Sequence, residues 1–449
     1  MSDIHLEVIP DPGLGNASYI VDLGDGGALV VDPSRDLRAH RARLERSGLR
    51  PRWTAETHLH ADFTSGTREF AHSDGAEILA SAAGGRSFRH RGLADGDELD
   101  LGGLTLRALG TPGHTDEHLS YLLLDGAKPL GVFTGGSLLV SSAARTDLVD
   151  PSRTEELARA QYRSLQRLLD LPDEVAVWPT HGAGSFCSAP ASSRRVSTIG
   201  TEKAANPLLQ ASGEDEFVRL LTAGLGSYPA YFDRLPEVNR LGPPLLPGAP
   251  TMPALAEDDV RRRLSSGALL IDVRPVGAFA RSHVPGAVSI ALRDQFASWL
   301  GWVVDPDRPV VVVRDADQDP AEILWQAVKI GHNSIVGELA DGMSAWTGPT
   351  SSIPLYTAAE AVRAMPNAAV WDVRQRSEFA AGHVPRAVSI ELGSLAAEAP
   401  RSDEVLVMCG HGERAMTAAS LAPASSVAVL AGGPADLAAA TGTSLVEGS

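Results

Sequence analysis

One sequence motif occurs twice in the C-terminal half of this chain, first at 270–290 and again at 370–390. Both copies contain Asp-Val-Arg after an apolar run, then Phe-Ala, His-Val-Pro and Ala-Val-Ser-Ile at the same spacing. A repeat of this length indicates that the region contains two copies of one domain.

Each copy alternates apolar strands with helical stretches. A strand at 310–313 in the first copy and one at 405–408 in the second each precede a polar loop and a helix. This alternation is typical of a parallel sheet with helices on both faces. A proline-rich segment at 241–253 marks one domain boundary, and the copies separate at 347–354. We therefore predict three domains, at 1–240, 254–348 and 355–449.

The N-terminal domain contains a histidine-rich motif at the end of a predicted strand. His58, His60 and Asp62 follow the apolar run at 53–57, with one residue between each. At a strand end, this spacing can direct both imidazoles towards one point. Imidazole and carboxylate are ligands that zinc and iron prefer. The motif therefore predicts a metal site, provided that other segments supply further ligands.

Two more histidines follow strands elsewhere in the same domain. His114 comes after Pro112-Gly113, a tight turn at the end of a strand predicted at 99–109. His181 comes after a strand predicted at 174–178. Three separate strand ends therefore present histidines, which is the pattern expected of metal ligands that meet at one edge of the sheets.

Charge and cysteine content restrict the functional class. The chain has 449 residues and a formal net charge of −17, which argues against a nucleic-acid partner because phosphate binding requires a basic face. Two cysteines fit reduced thiols better than a secreted disulfide framework. The sequence has no recognisable signal peptide and no apolar run long enough to span a membrane. We expect a cytoplasmic protein with no membrane partner.

The order of elements and motifs over the first half of the chain resembles the metallo-β-lactamase superfamily. The resemblance implies an αββα sandwich with metals at one edge of its two sheets. In dinuclear members, it implies His58, His60 and His114 as ligands of the first metal. Asp62 and His181 would then belong to the second metal.

Two positions depart from the dinuclear pattern. The residue after Asp62 is Phe63, which cannot bind a metal, and Gly136 replaces the aspartate that the two metals share in the family. The second metal would therefore keep only Asp62 and His181 as ligands. We predict at most one metal, which weighs against a dinuclear zinc hydrolase.

Within the superfamily, several motifs are similar to those of persulfide dioxygenases. The resemblance implies one iron bound by two histidines and one carboxylate, with open positions for substrate and dioxygen. The matching motifs are Thr-His-Leu-His-Ala-Asp at 57–62, Phe-Thr-Gly-Gly-Ser-Leu-Leu at 133–139, Ala-Arg-Thr-Asp at 144–147 and Ser-Thr-Ile-Gly-Thr-Glu-Lys-Ala-Ala-Asn-Pro at 197–207.

The three iron ligands of that family correspond to His58, His114 and Gly136, so this chain lacks the carboxylate. One hypothesis is that His60 completes a three-histidine face. Another is that Asp62 takes the place of the absent carboxylate. The remaining alternative is a retired site whose histidines only form hydrogen bonds.

The repeated Asp-Val-Arg and His-Val-Pro motifs resemble rhodanese domains. In the second copy, Cys409 follows the strand and begins a glycine-containing loop. Such a loop directs backbone N–H groups at the sulfur and stabilises a thiolate and a bound anion. The resemblance implies that Cys409 is a nucleophile carrying sulfane sulfur as a persulfide, with Arg414 facing an anionic donor. The loop continues through Gly410, His411, Gly412, Glu413 and Arg414.

The first copy lacks this thiol. Arg314 stands where the second copy has Cys409, and Asp315 and Asp317 follow it. Two carboxylates would repel an anionic sulfur compound. We therefore predict a non-catalytic rhodanese domain that serves in packing or in shaping a path between sites.

Several other residues allow two interpretations. Cys187, six residues after His181, is either a relay thiol facing the metal pocket or a small core residue. Arg145 and Asp147 either line the rim of the active site or form a structural salt bridge. A structural role is predicted for His118, His283 and His383, the last two of which recur in both copies.

The whole pattern resembles fused persulfide dioxygenase–rhodanese proteins, which implies detoxification of sulfide-derived persulfides. We expect a low-molecular-weight thiol persulfide and dioxygen as substrates, sulfite or thiosulfate as products, and iron, or alternatively zinc, as cofactor. The resemblance also implies a homo-oligomer. The alternatives are a sulfurtransferase with an inactive metal domain, a zinc-dependent thioester hydrolase, and a non-enzymatic persulfide carrier or sensor.

Overall fold

The structure, a computed structural model, describes residues 5–187 and 194–448. It divides into a first unit, Met1–Ala249 with Val328–Gly331, and a second unit, Pro250–Ala327 with His332–Ser449. Among the described residues, no helix combines the length and apolar character needed to cross a membrane.

The first unit is built on two six-stranded sheets and a short hairpin. Its strands are β1 (Leu6–Asp11), β2 (Asn16–Asp22), β3 (Gly27–Val31), β4 (Arg50–Ala55), β5 (Glu77–Ser81), β6 (Arg91–Leu93), β7 (Glu98–Asp100), β8 (Leu104–Gly110), β9 (Leu119–Asp125), β10 (Lys128–Gly135), β11 (Leu138–Leu139), β12 (Ser142–Ala143), β13 (Ala176–Pro179) and β14 (Ser197–Thr198). Its helices are α1 (Arg38–Ser47), α2 (Thr67–Asp74), α3 (Thr154–Leu169), α4 (Ile199–Ala205), α5 (Glu214–Ala223) and α6 (Leu235–Leu241).

Both sheets mix parallel and antiparallel pairs. The first has the order β1-β2-β3-β4-β5-β6 and becomes parallel from β3 onwards. The second has the order β14-β13-β10-β9-β8-β7, in which β10 and β13 run parallel and the other neighbours antiparallel. Strands β4 and β13 therefore end next to β3 and β10, which brings loops from both sheets to one edge.

Alternating side chains along the strands separate an inner core from two outer ones. On β2, Tyr19 and Val21 belong to the cluster between the sheets, whereas Ile20 packs with residues of α1 and α2. On β9, Tyr121 faces the inner cluster, whereas Leu122 packs with residues of α3 and α5. The four layers confirm the predicted αββα sandwich.

The segment predicted as one strand at 99–109 forms two strands instead, so that prediction was wrong. Strands β7 and β8 pair antiparallel across a turn at 101–103. Gly102 and Gly103 adopt φ values of 96° and 124°, which favour glycine. The carboxylate of Asp100 accepts hydrogen bonds from both glycine N–H groups, at 2.8 and 3.2 Å. The turn therefore follows from the conformation of the two glycines, which interrupt the segment between its leucines.

The second unit contains two five-stranded sheets. The first copy comprises β15 (Ala254–Leu255), β16 (Leu269–Asp272), β17 (Val288–Ser289), β18 (Val310–Val313), β19 (Ile335–Leu339), α7 (Glu257–Ser265), α8 (Val276–Arg281), α9 (Phe296–Val303) and α10 (Pro320–Lys329). The second comprises β20 (Leu355–Tyr356), β21 (Ala369–Asp372), β22 (Val388–Ser389), β23 (Glu404–Met408), β24 (Ser426–Leu430), α11 (Ala358–Ala364), α12 (Arg376–Ala380), α13 (Leu395–Glu398), α14 (Glu413–Leu421) and α15 (Pro434–Thr441).

The two copies have the same topology. Their strand orders are β15-β19-β18-β16-β17 and β20-β24-β23-β21-β22, with every neighbouring pair parallel. This confirms the two predicted α/β domains with parallel sheets. Buried residues of both copies, among them Phe279 and Trp371, belong to one hydrophobic cluster.

The shared motifs stabilise each copy in the same way. In the Asp-Val-Arg motif, Asp272 accepts two hydrogen bonds from Arg274 Nε, at 2.9 and 3.1 Å, and one from Nη2 at 2.6 Å. The equivalent pair of the second copy, Asp372 and Arg374, has nearly the same distances. The His-Val-Pro histidines, His283 and His383, each stack on a phenylalanine and contact a backbone carbonyl. The motifs therefore form scaffold contacts rather than active sites.

We expect Glu56→Gln to destabilise the first unit by about 3–5 kcal/mol, because removing one partner leaves a buried charge uncompensated. Glu56 accepts a hydrogen bond from Arg86 Nε at 2.7 Å, and both side chains are almost fully buried. Urea unfolding of the full chain measures the change. The control is Glu98→Gln, whose partner Arg107 is exposed and whose expected cost is below about 1 kcal/mol. Equal effects for the two variants would contradict the prediction.

Candidate metal centre and rhodanese thiol

The predicted metal ligands lie together at one edge of the sandwich. His58 and His60 follow β4, His114 follows β8, and His181 follows β13. All four imidazoles and Asp62 are almost fully buried. The structure thus brings together the residues that the sequence placed at three separate strand ends.

The possible ligand atoms form two groups, and the atoms within each group all lie within 4.8 Å of one another. One group consists of His58, His60 and His181, and the other of His114, His181 and Cys187. His181 is common to both, and its Nε2 lies 3.2 Å from Nε2 of His58. His181, predicted as a ligand of a second metal, therefore occupies the centre of the cluster.

Neighbouring groups fix the orientation of three imidazoles. Nδ1 of His114 donates to the carbonyl of Arg145 at 2.7 Å. Nδ1 of His181 lies 3.0 Å from Oδ1 of Asn16, and Nδ1 of His58 lies 2.9 Å from Oγ1 of Thr57. Histidines that bind metals are held in this way by their second ring nitrogen, which leaves the first for the metal.

His60 has the opposite arrangement, and it shows that the site fits a metal. Its Nε2 lies 3.1 Å from the carboxylate of Asp32. Among the residues that the structure describes, its buried Nδ1 has no hydrogen-bond partner, and neither has Oδ1 of Asp62. Leaving such atoms unpaired costs about 1–3 kcal/mol each. A metal ion held by His60, Asp62 and the neighbouring imidazoles would satisfy both.

Asp32 was not predicted from the sequence as part of this site. Its carboxylate accepts hydrogen bonds from the backbone and hydroxyl of Thr57, at 2.8 and 2.7 Å, and from the hydroxyl of Thr180. It follows β3, so a polar residue directly after an apolar strand was the signal that could have identified it. Asn16, which contacts both His181 and Asp62, was also missed.

Burial keeps His58 and His114 in the neutral form, which is the form that binds metals. Burial, followed by the neighbouring imidazoles, holds the pKa of His58 well below its usual range, and burial lowers the pKa of His114 to about 3. Burial opposes ionisation of Asp62, but His181 outweighs it and lowers the pKa of Asp62 to about 2. Likewise, Asp32 outweighs burial and raises the pKa of His60. The centre therefore combines neutral imidazoles at His58 and His114 with ionised carboxylates at Asp32 and Asp62.

Gly136 and Phe63, the two positions that depart from the dinuclear pattern, each lie against a histidine of the cluster. A Cβ atom at Gly136 would lie 2.2 Å from Cδ2 of His114, so the histidine ring occupies the space of a side chain at this position. Phe63 stacks on His60, with ring centroids 4.1 Å apart. His118 accepts a hydrogen bond from the N–H of Gly136 at 3.0 Å, consistent with its predicted structural role.

Cys187 lies inside the cluster rather than in the apolar core. It is fully buried and belongs to the second group of ligand atoms with His114 and His181. Burial and the charge of Asp62 raise the pKa of its thiol well above the usual range. The thiol therefore faces the metal pocket, which was one of the two interpretations of the sequence.

Arg145 connects Cys187 with His114. Its N–H donates to the carbonyl of Cys187 at 2.9 Å, and its own carbonyl accepts from His114. Its guanidinium forms a two-bond salt bridge with Asp147, at 2.7 and 2.8 Å, and lies 4.6 Å from the ring centre of Tyr228. The predicted Arg145–Asp147 salt bridge is therefore formed, by the residue whose backbone contacts both Cys187 and His114.

The second candidate site is the loop at Cys409. The thiol is buried, and its Sγ accepts a hydrogen bond from the N–H of Gly412 at 3.1 Å. Gly412 has φ 98° and immediately precedes α14, so the sulfur lies at the N-terminus of this helix. Backbone N–H groups and a helix N-terminus stabilise negative charge on sulfur. His411 is exposed beside the thiol.

Arg414 is held by an ion pair. Its guanidinium donates to both oxygens of Glu378, at 2.6 and 2.9 Å, and lies 5.5 Å from the ring centre of Trp299. Burial disfavours its charge, but Glu378 and the nearby Cys409 outweigh burial and raise the pKa of Arg414. The positive charge therefore stays next to the thiol.

The first copy contains an ion pair at the equivalent position. Val313 pairs with Asp272 as Met408 pairs with Asp372, so Arg314 occupies the place of Cys409. Arg314 forms a salt bridge with Glu338 and donates to the carbonyl of Gln318 at 3.0 Å. These contacts agree with the predicted non-catalytic role.

The first copy also supports the thiol-bearing loop of the second. The hydroxyl of Thr417 on α14 donates to the carbonyl of Ser289 at 2.6 Å. Arg293 lies 3.5 Å from the carboxylate of Glu413. A cavity of about 330 Å³ beside the loop is lined by residues of both copies, including Arg293, Gln318, His411 and Glu413.

Comparison with known proteins agrees with this architecture. Residues 10–181 match the metallo-β-lactamase superfamily, and residues 256–349 and 357–440 match the rhodanese-like domain. A hydroxyacylglutathione hydrolase of Methylococcus capsulatus is 30% identical over 274 residues, which cover 58% of this chain and 97% of that protein. The chain belongs to the metallo-β-lactamase superfamily. Its metallo-β-lactamase domain precedes two rhodanese domains.

One further relative and one solved structure are also similar to this chain. The human mitochondrial persulfide dioxygenase ETHE1 is 28% identical over 198 residues, which cover 43% of this chain and 70% of that protein. A crystal structure of a metallo-β-lactamase from Staphylococcus aureus has a TM-score of 0.67 and 28% identity, and covers 75% of this chain and 99% of its own. Together with the histidine cluster, these similarities indicate an enzyme with a metal site.

We expect Gly136→Ala to weaken metal binding at least about tenfold, because the new Cβ displaces the ring of His114. Residues that orient metal ligands typically contribute about 10–100-fold in affinity. Competition with a chromophoric chelator measures the affinity. Gly213→Ala is the control, since a Cβ there meets open space. Unchanged affinity in Gly136→Ala would show that His114 does not contribute to metal binding.

Proposed function

We propose that the chain oxidises a low-molecular-weight thiol persulfide to sulfite at a single metal in the first unit, and that the rhodanese thiol then forms thiosulfate. The observation that carries the proposal is that one chain contains both features. It has a buried histidine cluster with unsatisfied ligand atoms, and it has a thiol at the N-terminus of α14. The cytoplasm, where thiols remain reduced, is the proposed location, and both cysteines of the chain are free.

The first unit would hold the metal through His58, His114 and His181, with His60 and Asp62 as further ligands. A bound metal such as iron would supply redox chemistry towards dioxygen, and zinc would supply Lewis-acid chemistry. The chain orients His60, His181 and His114 through Asp32, Asn16 and the carbonyl of Arg145. Burial keeps His58 and His114 neutral. In the overall reaction, dioxygen oxidises the terminal sulfur of the persulfide, the S–S bond breaks, water supplies the third oxygen of sulfite, and the thiol leaves.

The second unit would transfer sulfur through Cys409. Its thiolate attacks the outer sulfur of a second persulfide, an S–S bond forms on Cys409, and the thiol leaves. Sulfite then attacks the outer sulfur on Cys409, which forms the S–S bond of thiosulfate and returns the thiolate. The N–H of Gly412 and the charge of Arg414 would stabilise the thiolate and attract the anionic sulfite.

A sulfurtransferase without oxygenase activity is the second candidate. The observation that favours it is the His114 ring beside Gly136, where persulfide dioxygenases have a carboxylate. In that case the first unit would be a scaffold, and persulfide would cause no oxygen uptake by the wild-type chain. A zinc-dependent thioester hydrolase is less consistent with Phe63 and Gly136.

Two variants separate the proposed roles. We expect Cys409→Ser to lower thiosulfate formation at least about a hundredfold, because the serine hydroxyl is not a comparable nucleophile. Persulfide-dependent oxygen uptake stays unchanged, and sulfite accumulates in place of thiosulfate. We expect the reciprocal result for His114→Ala, with oxygen uptake lost and sulfur transfer from added persulfide to added sulfite retained. An oxygen electrode and separation of sulfite from thiosulfate measure both.

The pattern of losses decides between the candidates. Loss of both activities in both variants would contradict the division of roles between the two units. Absence of oxygen uptake in the iron-loaded wild type, with sulfur transfer intact, would contradict the oxygenase and favour the sulfurtransferase. Metal content of each variant serves as the control for correct loading.

A further inference from the structure

One thiol lies within the histidine cluster of the first unit. Cys187 is fully buried, and its Sγ, a nitrogen of His114 and a nitrogen of His181 lie within 4.8 Å of one another. Ligands around a tetrahedral zinc with Zn–N of about 2.0–2.1 Å and Zn–S of about 2.3 Å are separated by roughly 3.3–3.6 Å. Small side-chain movements would therefore bring the three atoms to metal-binding distance.

The position of Cys187 matches what the chain lacks elsewhere. Gly136 provides no side chain, and the adjacent His114 ring prevents any other residue from providing one there without displacement. Cys187 approaches the same histidine from a different segment of the chain. Its thiolate would therefore provide, beside His114, the anionic metal ligand that Gly136 cannot provide.

The backbone holds this thiol in place from two sides. The carbonyl of Cys187 accepts from the N–H of Arg145 at 2.9 Å, and its N–H donates to the hydroxyl of Ser185 at 3.1 Å. Arg145 Nη1 donates to the carbonyl of Phe186 at 3.0 Å. Because the carbonyl of Arg145 also orients His114, one residue fixes the distance between the thiol and the imidazole.

A second observation indicates that a ligand belongs here. Asp62 is nine-tenths or more buried, and its Oδ1 has no hydrogen-bond partner among the described residues. The same holds for Nδ1 of His60. Four histidines, a carboxylate and a thiol lie together in this buried pocket, and some of their polar atoms are unsatisfied. This is the composition of a transition-metal site rather than of a core.

We infer that Cys187 is a metal ligand, and that its thiolate replaces the carboxylate absent at Gly136. The resulting centre adds Cys187 to His58, His114 and His181, with His60 and Asp62 as the further ligands proposed above. A thiolate favours zinc, ferrous iron or cobalt over magnesium, calcium and manganese. The inference rests on the proposed metal centre, but it does not depend on which reaction that centre performs.

Cobalt(II) tests the inference without any activity assay, because thiolate bound to cobalt gives a near-ultraviolet charge-transfer band that imidazole and carboxylate do not give. The experiment uses the full chain with Cys409→Ser, which leaves Cys187 as its one cysteine. After chelator treatment, one equivalent of cobalt is added and the spectrum is recorded. We expect the band in Cys409→Ser and in the wild type, and its loss in Cys187→Ala and in the double variant.

The outcomes distinguish failure of the inference from failure of the metal centre. Cobalt bound stoichiometrically without the band in Cys409→Ser, or a band that survives Cys187→Ala, would overturn the role of Cys187 and leave the metal centre intact. No cobalt binding by the wild type would overturn both. X-ray absorption of the zinc-loaded Cys409→Ser protein provides a test that needs no change at Cys187, since a Zn–S distance of about 2.3 Å is expected and its absence would contradict the inference.

Discussion

The buried carboxylate of Asp32 is the contact on which the metal centre depends. It joins the loop after β3 to the loops after β4 and β13, through Thr57, His60 and Thr180. A buried carboxylate is unfavourable unless it is fully hydrogen-bonded, so its four donors are fixed in position by the need to satisfy it. The loops that carry the histidines of both sheets are therefore aligned by one buried anion.

The types of ligand could be predicted from the sequence, whereas their grouping could not. Strand ends followed by histidines indicate a metal site because strand ends of one sheet edge converge. Which ring nitrogen faces inwards depends on partners distant in sequence, such as Asn16 for His181 and Arg145 for His114. The place of Cys187 depends on the same tertiary contacts, so its sequence neighbours do not reveal whether it faces a core or a pocket.

In the two rhodanese domains, too, the sequence pattern predicted the sheets but not the contacts between distant residues. The repeated motif and its flanking strands predicted two parallel α/β sheets, because the motif residues make local contacts such as that between Asp372 and Arg374. The support that the first copy gives to α14 through Ser289 could not be predicted, since it joins residues more than a hundred positions apart. Glycine conformation at 102–103 similarly divides a segment that was predicted as one strand.

The Arg314–Glu338 pair limits how the first rhodanese copy could be given a thiol. Glu338 is largely buried, so it depends on Arg314 for its charge balance. Arg314→Cys alone would leave that carboxylate without its partner, at a cost of roughly 3–5 kcal/mol. A second sulfur-carrying site in this chain would therefore require simultaneous changes at positions 314 and 338.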